Sequence, residues 1–380
     1  MNFGSAAIIL ASVLVSCPAI AAPAYETSAP IAYMVDMSSG AVLYEKQADA
    51  QIPPASMTKM LTTYVVFEML SNGKLRAEQT LIVNPDTWKA WNNRGSTMFL
   101  APNEQVSVAN LLHGLVTLSG NDAAIVLAQG ISGSEEAFVA IMNKTAKRLG
   151  MKDSRFGTPN GWPDEGRTLT TARDLAVLAE RTINDYPKLY ATYYGKKEFK
   201  WGGVTQPDRN PLLGKITGAD GLKTGHTDEA GYCFTGTAIQ NGRRILMVVA
   251  GLPSFNSRIT ESTNFMTWGF SAWKSRPLFE AGKTVATVSM QLGDASNVGL
   301  VAPRNIALTY PTGSPENFKV FVRYNGPIKA PIKKGDIVAD MVVKLADGTE
   351  QITPLVASAD VNQAGYFRRI WNGVKAIFGA

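Results

Sequence analysis

Pro54-Ala55-Ser56-Met57-Thr58-Lys59 opens a segment in which Met57, Met60, Leu61, Tyr64, Val65 and Phe67 recur at helical spacing until Asn72-Gly73 ends it. Ser56 and Lys59 then stand one turn apart on one helix face, so the amine can reach the hydroxyl. The spacing alone says little, because Ser71/Lys74 and Ser271/Lys274 repeat it. Ser56 and Lys59 differ from those pairs in having an apolar setting and two further motifs downstream, Ser119-Gly120-Asn121 and Lys223-Thr224-Gly225.

Each motif has a chemical use. An ordinary lysine is protonated at neutral pH, so for Lys59 to act as base to a Ser56 nucleophile it must be desolvated or placed near another cation, for which Lys223 is the candidate. The free N–H groups at the helix start include that of Ser56, which suits an oxyanion. Ser119-Gly120-Asn121 follows one apolar helix and precedes another, in a short turn that can aim side chains inward. There Ser119 can relay a proton and Asn121 can hold a peptide group through both its donor and its acceptor. Lys223-Thr224-Gly225 is expected to head a strand, with Lys223 and Thr224 gripping a free carboxylate and Gly225 letting a substrate lie along the sheet edge. His226 is expected to contribute its backbone N–H, its imidazole being either structural or substrate-facing. The chain has no Gly-x-Ser-x-Gly elbow, and the Gly-rich prelude of a phosphate loop is missing before Lys223.

Working outward, Ile31 to Val35 and Ala41 to Tyr44 flank Ser38-Ser39-Gly40 as a hairpin. Helical patterns cover Val108 to Leu118, Asp122 to Gln129, Glu135 to Leu149 and Thr171 to Ile183. Tyr232 to Ile239 and Arg244 to Val249 read as strands joined by Asn241-Gly242, a strong hairpin signal, with a helix near Arg258 to Trp273. The fold class is therefore α+β: an antiparallel sheet covered by helices over residues 22–281. From Gly282 short strands recur, Thr284 to Met290, Ile306 to Tyr310, Lys319 to Tyr324 and Ile337 to Leu345, which predicts a second small all-β domain over 282–356. Residues 357–380 are expected to form a linker and a terminal amphipathic helix. In it Phe367, Ile370, Trp371, Val374, Ile377 and Phe378 fall within about a 120° arc of a helical wheel, leaving Arg368, Arg369 and Lys375 outside. Such a helix suits an anionic membrane surface, and its alternative is docking on the protein's own core.

Hydrophobic residues make up 45% of the chain and charged ones 18%, enough for a sizeable core. The net charge of +6 comes without a basic run or basic-aromatic interleaving, which argues against nucleic acid and for a negatively charged surface or small acidic substrate. Residues 1–21 read as a signal peptide, with an apolar run from Gly4 to Val15 and Ala19-Ile20-Ala21 predicting cleavage before Ala22, although no Lys or Arg precedes the run. Leu14-Val15-Ser16-Cys17 offers a second form, a lipoprotein site with Cys17 lipidated. With Cys17 removed, Cys233 is left as a buried, inert thiol without a disulfide. His113 and His226 are the only histidines, so no His/Cys metal site and no cofactor are expected.

The three motifs in this order resemble the signature shared by class A β-lactamases and penicillin-binding proteins, although Asn121 matches it where the turn is Ser119-Gly120-Asn121 and not Ser-Asp-Asn. Together with Phe156-Gly157-Thr158-Pro159-Asn160-Gly161, Thr170-Thr171-Ala172-Arg173-Asp174-Leu175 and Gly221-Leu222-Lys223-Thr224-Gly225-His226-Thr227, nearly the entire chain resembles the low-molecular-mass penicillin-binding proteins. These are the D-alanyl-D-alanine carboxypeptidases of serine peptidase family S11. The resemblance implies that Ser56 is acylated by the penultimate D-alanine carbonyl of peptidoglycan stem peptides, or by β-lactams, while Lys59 takes its proton. It implies catalytic roles for Ser56, Lys59 and Ser119, and an oxyanion hole from the amides of Ser56 and His226. Asn121, Lys223, Thr224, Gly225 and His226 carry over as substrate-binding, with Arg258 and Arg209 supporting the substrate carboxylate. Residues 84–99 correspond to a loop bordering the site, whose Trp88 and Trp91 are expected to line the peptide stem. Trp162 stands where an aliphatic residue is more usual, which touches substrate fit. A β-lactamase would need a carboxylate to activate water, and Asp164 and Glu165 lack the Glu-x-x-Leu-Asn context. A D,D-endopeptidase and a weakly active envelope scaffold remain as alternatives.

Overall fold

The computed structural model describes residues 23–314, 317–346 and 348–365. The signal-peptide and terminal-helix expectations lie outside them. Among the described residues no single helix is long and apolar enough to cross a membrane.

In chain order the first half contains β1 (Ile31–Asp36), β2 (Ala41–Lys46), a one-turn 3-10 helix (Ala55–Thr58), α1 (Lys59–Ser71), β3 (Thr80–Ile82), α2 (Pro85–Trp91), β4 (Gln105–Ser107), α3 (Val108–Val116), α4 (Asn121–Ser132) and α5 (Glu135–Leu149). Then follow α6 (Ala172–Asp185), α7 (Pro187–Tyr193), β5 (Glu198–Trp201), β6 (Val204–Pro207), β7 (Ala219–Thr227), β8 (Gly231–Gln240), β9 (Arg243–Leu252) and α8 (Phe255–Ser271). Strands β1, β2, β7, β8 and β9 build an antiparallel sheet in the order β2-β1-β9-β8-β7. Asn241 and Gly242 both have positive φ, 51° and 77°, which closes β8 on β9 as the predicted tight hairpin.

Residues along β9 point alternately to two cores. Leu246, Val248 and Ala250 meet the large helical layer, while Ile245, Met247 and Val249 pack with Phe265 and Met266 of α8. The helix starts are written in the sequence, since Ser107, Ser134, Thr171 and Ser254 each accept a backbone N–H of the helix that follows. Helix α1 departs from a one-sided pattern, because every residue from Lys59 to Phe67 is buried. It is the central helix of the layer. Its polar residues find partners there, with Thr62 Oγ1 donating to the Pro159 carbonyl at 2.5 Å and Thr63 Oγ1 to the Lys59 carbonyl at 2.8 Å.

The C-terminal part is all-β: β10 (Trp273–Phe279), β11 (Thr284–Gln291), β12 (Asn297–Val301), β13 (Ile306–Pro311), β14 (Phe318–Arg323), β15 (Ile328–Lys329), β16 (Ile337–Leu345) and β17 (Glu350–Ala357). Both expected boundaries shift. β10 pairs with β13 from Trp273↔Pro311 onward, so the β-rich half starts there and not at Gly282, and the helix ends at Ser271 and not at Trp273. At the other end residues 357–364 are no free linker. Ile332 bridges Val361, Gly293 bridges Gln363, and the Ala364 N–H donates to the Leu292 carbonyl at 2.8 Å.

A buried polar clasp joins the halves. Asp36, fully buried at the end of β1, accepts from Arg243 Nε at 2.6 Å and from Thr309 Oγ1 of β13 at 2.8 Å. Thr309 also meets Ser39 Oγ at 2.7 Å, and its N–H donates to Gln351 Oε1 at 3.0 Å. Arg243 Nη1 donates to the Trp273 carbonyl at 2.8 Å.

Candidate active site

Ser56 lies in the one-turn 3-10 helix, where side chains three apart eclipse one another. Lys59 Nζ therefore sits 2.9 Å from Ser56 Oγ. Two glycines fix this turn from either side. A Cβ on Gly161 would stand 1.8 Å from the Ala55 carbonyl oxygen, and one on Gly225 would stand 2.7 Å from that of Pro54. Gly225 has a further role beside the expected one: it is small so that β7 can close on the chain's own nucleophile turn. Lys223-Thr224-Gly225 also lies within β7, an edge strand, and does not head it.

Lys59 is fully buried, and its ammonium also donates to Asn121 Oδ1 at 2.8 Å and to the Asn160 carbonyl at 2.7 Å. Burial, with the nearby Lys223 charge adding to it, holds its pKa well below the usual lysine range, while Asp122 opposes this. The expectation of a desolvated Lys59 beside Lys223 thus matches the geometry. Asn121 is the first residue of α4, and its Nδ2 donates to the Arg94 carbonyl at 3.0 Å. The adjacent Asp122 fixes the overlying loop, accepting from Thr97 Oγ1 at 2.5 Å and from the Met98 N–H at 3.0 Å. Ser119, buried and at φ 63°, lines the cleft between α3 and α4.

The cleft measures about 580 Å³ and is bounded by Ser56, Asn121, Thr224, His226, Trp162 and Arg258, among others. Lys223 is buried behind Thr224, and burial brings its pKa down to about 7 against the opposing pull of Asp208. Burial likewise pushes Asp208 up to about 6. Arg258 is buried, stacks over Tyr232 at 5.4 Å and Phe255 at 5.2 Å, and donates to the Gly225 carbonyl at 3.4 Å, leaving Nε without a partner. Arg209 Nη1 donates to Ser96 Oγ at 2.5 Å on the cleft wall. Three cations thus gather around Thr224, an arrangement that suits a small carboxylate. The His226 ring is exposed and lies 3.9 Å from the Tyr232 ring, so it belongs to the cleft surface.

The expectation for Trp88 fails here, while Asp164 and Cys233 stand as expected. Trp88 packs against the helical core and not into the cleft, whereas Trp91 reaches the rim through an edge-on contact of 5.5 Å with Trp162. Asp164 is held by Thr168, whose N–H and Oγ1 lie 3.0 and 2.6 Å away, so it is a structural carboxylate. Cys233 is fully buried, and burial raises its thiol to about 11. The Asn160 carbonyl was not foreseen among the site groups. Its signal is Gly161, whose φ of 73° and lack of room for a Cβ bring this loop onto Lys59.

A serine hydroxyl against a buried lysine, a second polar turn and a cationic strand edge define a serine acyl-transferring hydrolase of the antiparallel-sheet, helix-covered type. Residues 18–254 match the family model described as D-alanyl-D-alanine carboxypeptidase, and residues 273–363 match that of the penicillin-binding protein 5 C-terminal domain. D-alanyl-D-alanine carboxypeptidase DacC of Escherichia coli is 37% identical over 364 residues, covering 94% of this chain and 90% of that one. DacA of Haemophilus influenzae is 36% identical, covering 89% of this chain and 86% of its own length. The crystal structure of penicillin-binding protein 5 from Haemophilus influenzae superposes with a TM-score of 0.79 at 34% identity, over 90% of this chain and 99% of that one. The chain belongs to the D-alanyl-D-alanine carboxypeptidases, serine peptidase family S11, of the penicillin-binding proteins. Membership brings with it peptidoglycan peptides as substrates and β-lactams as ligands.

Proposed function

We propose that the chain removes the terminal D-alanine from stem peptides ending in D-Ala-D-Ala through an acyl-enzyme on Ser56. The observation that carries this reading is the 2.9 Å approach of the buried Lys59 Nζ to Ser56 Oγ. Lys59, uncharged, takes the Ser56 proton as Oγ bonds to the penultimate D-alanine carbonyl carbon. The amides of Ser56 and His226 hold the oxyanion. Collapse breaks the peptide bond, and the proton passes from Lys59 by way of Ser119 to the departing amine. Lys223, Thr224, Arg209 and Arg258 hold the carboxylate of the leaving residue, and Asn121 orients the acyl half. Lys59 then deprotonates a water whose oxygen attacks the ester carbon, and passes that proton to Ser56 Oγ as the ester C–O bond breaks. β-Lactams enter by the same first step and leave Ser56 acylated.

Purified residues 22–365 should release D-alanine from diacetyl-Lys-D-Ala-D-Ala, and Ser56→Ala should release none. Absence of release from the wild type, with penicillin still bound covalently at Ser56, would reject the carboxypeptidase reading in favour of a scaffold or an endopeptidase.

We also propose export by the 1–21 signal peptide and peripheral attachment to the periplasmic face of the inner membrane by 366–380. The support is the small-x-small site before Ala22 and the apolar arc with basic residues outside it. Deleting 366–380 should move the protein to the soluble fraction with activity intact, and unchanged membrane retention would count against it.

A further inference from the structure

The rim of the cleft carries an aromatic and cationic cluster that the steps above leave unused. The Arg94 guanidinium lies 4.8 Å from the Trp162 ring and 5.3 Å from the Trp91 ring, while the two indoles meet edge-on at 5.5 Å. Trp162 lines the cleft, and Arg94 is exposed, resting on the two rings and on no carboxylate among the described residues.

The cluster is tied to the reacting groups from both sides. The Arg94 carbonyl accepts from Asn121 Nδ2 at 3.0 Å, and the Asn160 carbonyl, two residues before Trp162, accepts from Lys59 Nζ at 2.7 Å. Between them Gly95, at φ 69°, has no room for a side chain. A Cβ there would stand 2.9 Å from Asn121 Nδ2 and 3.0 Å from Trp162. Backbone, catalytic amide and indole are thus in contact, and an occupant of the Trp162 face lies beside the groups that hold the acyl half.

If the leaving carboxylate is held at Lys223, Thr224, Arg209 and Arg258, the wall from Gly95 to Pro163, with Asn121 and Trp162 on it, is left for the acyl half. We propose that Trp162 is the floor of a subsite for the side chain of the residue preceding the D-Ala-D-Ala pair, and that Arg94 makes this subsite favour a side chain ending in a carboxylate over one ending in an amine. The proposal rests on the carboxypeptidase reading of the site. The indole face takes the methylenes of a long side chain, and the stacked guanidinium meets its tip. Of the other charges lining this cleft, Arg258 lies against the Gly225 carbonyl and Arg209 is held by Ser96, both assigned above to the leaving carboxylate, while Asp228 favours the amine. The preference therefore measures Arg94 against Asp228.

Three N-acylated peptides X-D-Ala-D-Ala separate the possibilities, with X as lysine, Nε-acetyl-lysine or 2-aminoadipate. Wild type should show kcat/KM for the aminoadipate peptide about two- to fivefold above that for the lysine peptide, the range of a solvent-exposed ion pair. The ratio should shrink toward one at high salt. Arg94→Gln should bring the ratio close to one and Arg94→Glu should invert it. A wild-type ratio at or below one, or a ratio unmoved by Arg94→Glu, overturns the proposal while leaving the carboxypeptidase reading intact. Turnover of none of the three by wild type overturns that reading and this proposal together. A wild-type ratio that does not shrink at high salt likewise overturns the proposal, and this measurement needs no variant.

Discussion

Lys59 acts as a base only when neutral, and Lys223 grips a carboxylate only when charged. Burial lowers both pKa values, Lys59 well below the lysine range and Lys223 to about 7. As pH falls through the lowered Lys59 value the base is protonated, which gives kcat/KM an acid limb. As pH rises through about 7 Lys223 loses its proton in the free enzyme, which gives an alkaline limb. A bound carboxylate favours charged Lys223, so the alkaline limb of kcat should lie higher than that of kcat/KM. Lys223→Arg should remove the alkaline limb, since arginine stays charged. Profiles of both constants check this, and an alkaline limb unchanged in Lys223→Arg would refute the assignment. At Lys59 the requirement is reversed. Lys59→Arg keeps a cation but loses the base, and should slow acylation by a fluorescent penicillin about 10²–10⁴-fold.

Two strand and loop segments close on the nucleophile turn through glycine, β7 at Gly225 and the 157–161 loop at Gly161. Gly161→Ala combines a left-handed φ of 73° with a backbone collision, so the loop must withdraw and take the Asn160 carbonyl away from Lys59. It should cost roughly 1–3 kcal/mol of stability and slow acylation at least tenfold, measured by thermal midpoint and stopped-flow labelling. An alanine variant with wild-type acylation would show that the loop does not position Lys59. Side-chain chemistry was legible in the sequence because Ser56, Lys59, Asn121 and Lys223 work through groups only those residues own. Asn160 works through a carbonyl that any residue could offer, so it left no mark beyond its glycine neighbour. The long helices and the β8–β9 hairpin were legible from periodicity and caps. The short helices α2 and α7 were not, because Pro85–Trp91 and Pro187–Tyr193 are too brief for a period to declare itself. Strand β10 was not legible, Trp273 being counted into the preceding helix and the rest into the first domain, because its partner β13 lies some thirty residues on, roughly the kind of distance over which local pattern carries no signal.

Across the whole molecule a buried charge pair of the first part, Asp36 with Arg243, is joined from the β-rich side by the Thr309 hydroxyl and the Trp273 carbonyl. Asp36→Ala strands the Arg243 cation in the seam and should destabilise the protein by about 3–5 kcal/mol. Thr309→Val removes only the hydroxyl and should cost about 1–2 kcal/mol. Calorimetry should resolve two transitions in Asp36→Ala where wild type gives one, and a single, unshifted transition would mean that the seam contributes no coupling. The clasp also bears on recombination between relatives. A chimera that grafts a foreign β-rich half after Ser271 keeps Asp36 and Arg243 but discards Thr309 and Gln351, and so inherits a lock without its key. Exchange of these halves should succeed only when donor and recipient share those four residues, which makes the joint, and not the cleft, the gatekeeper of shuffling in this chain.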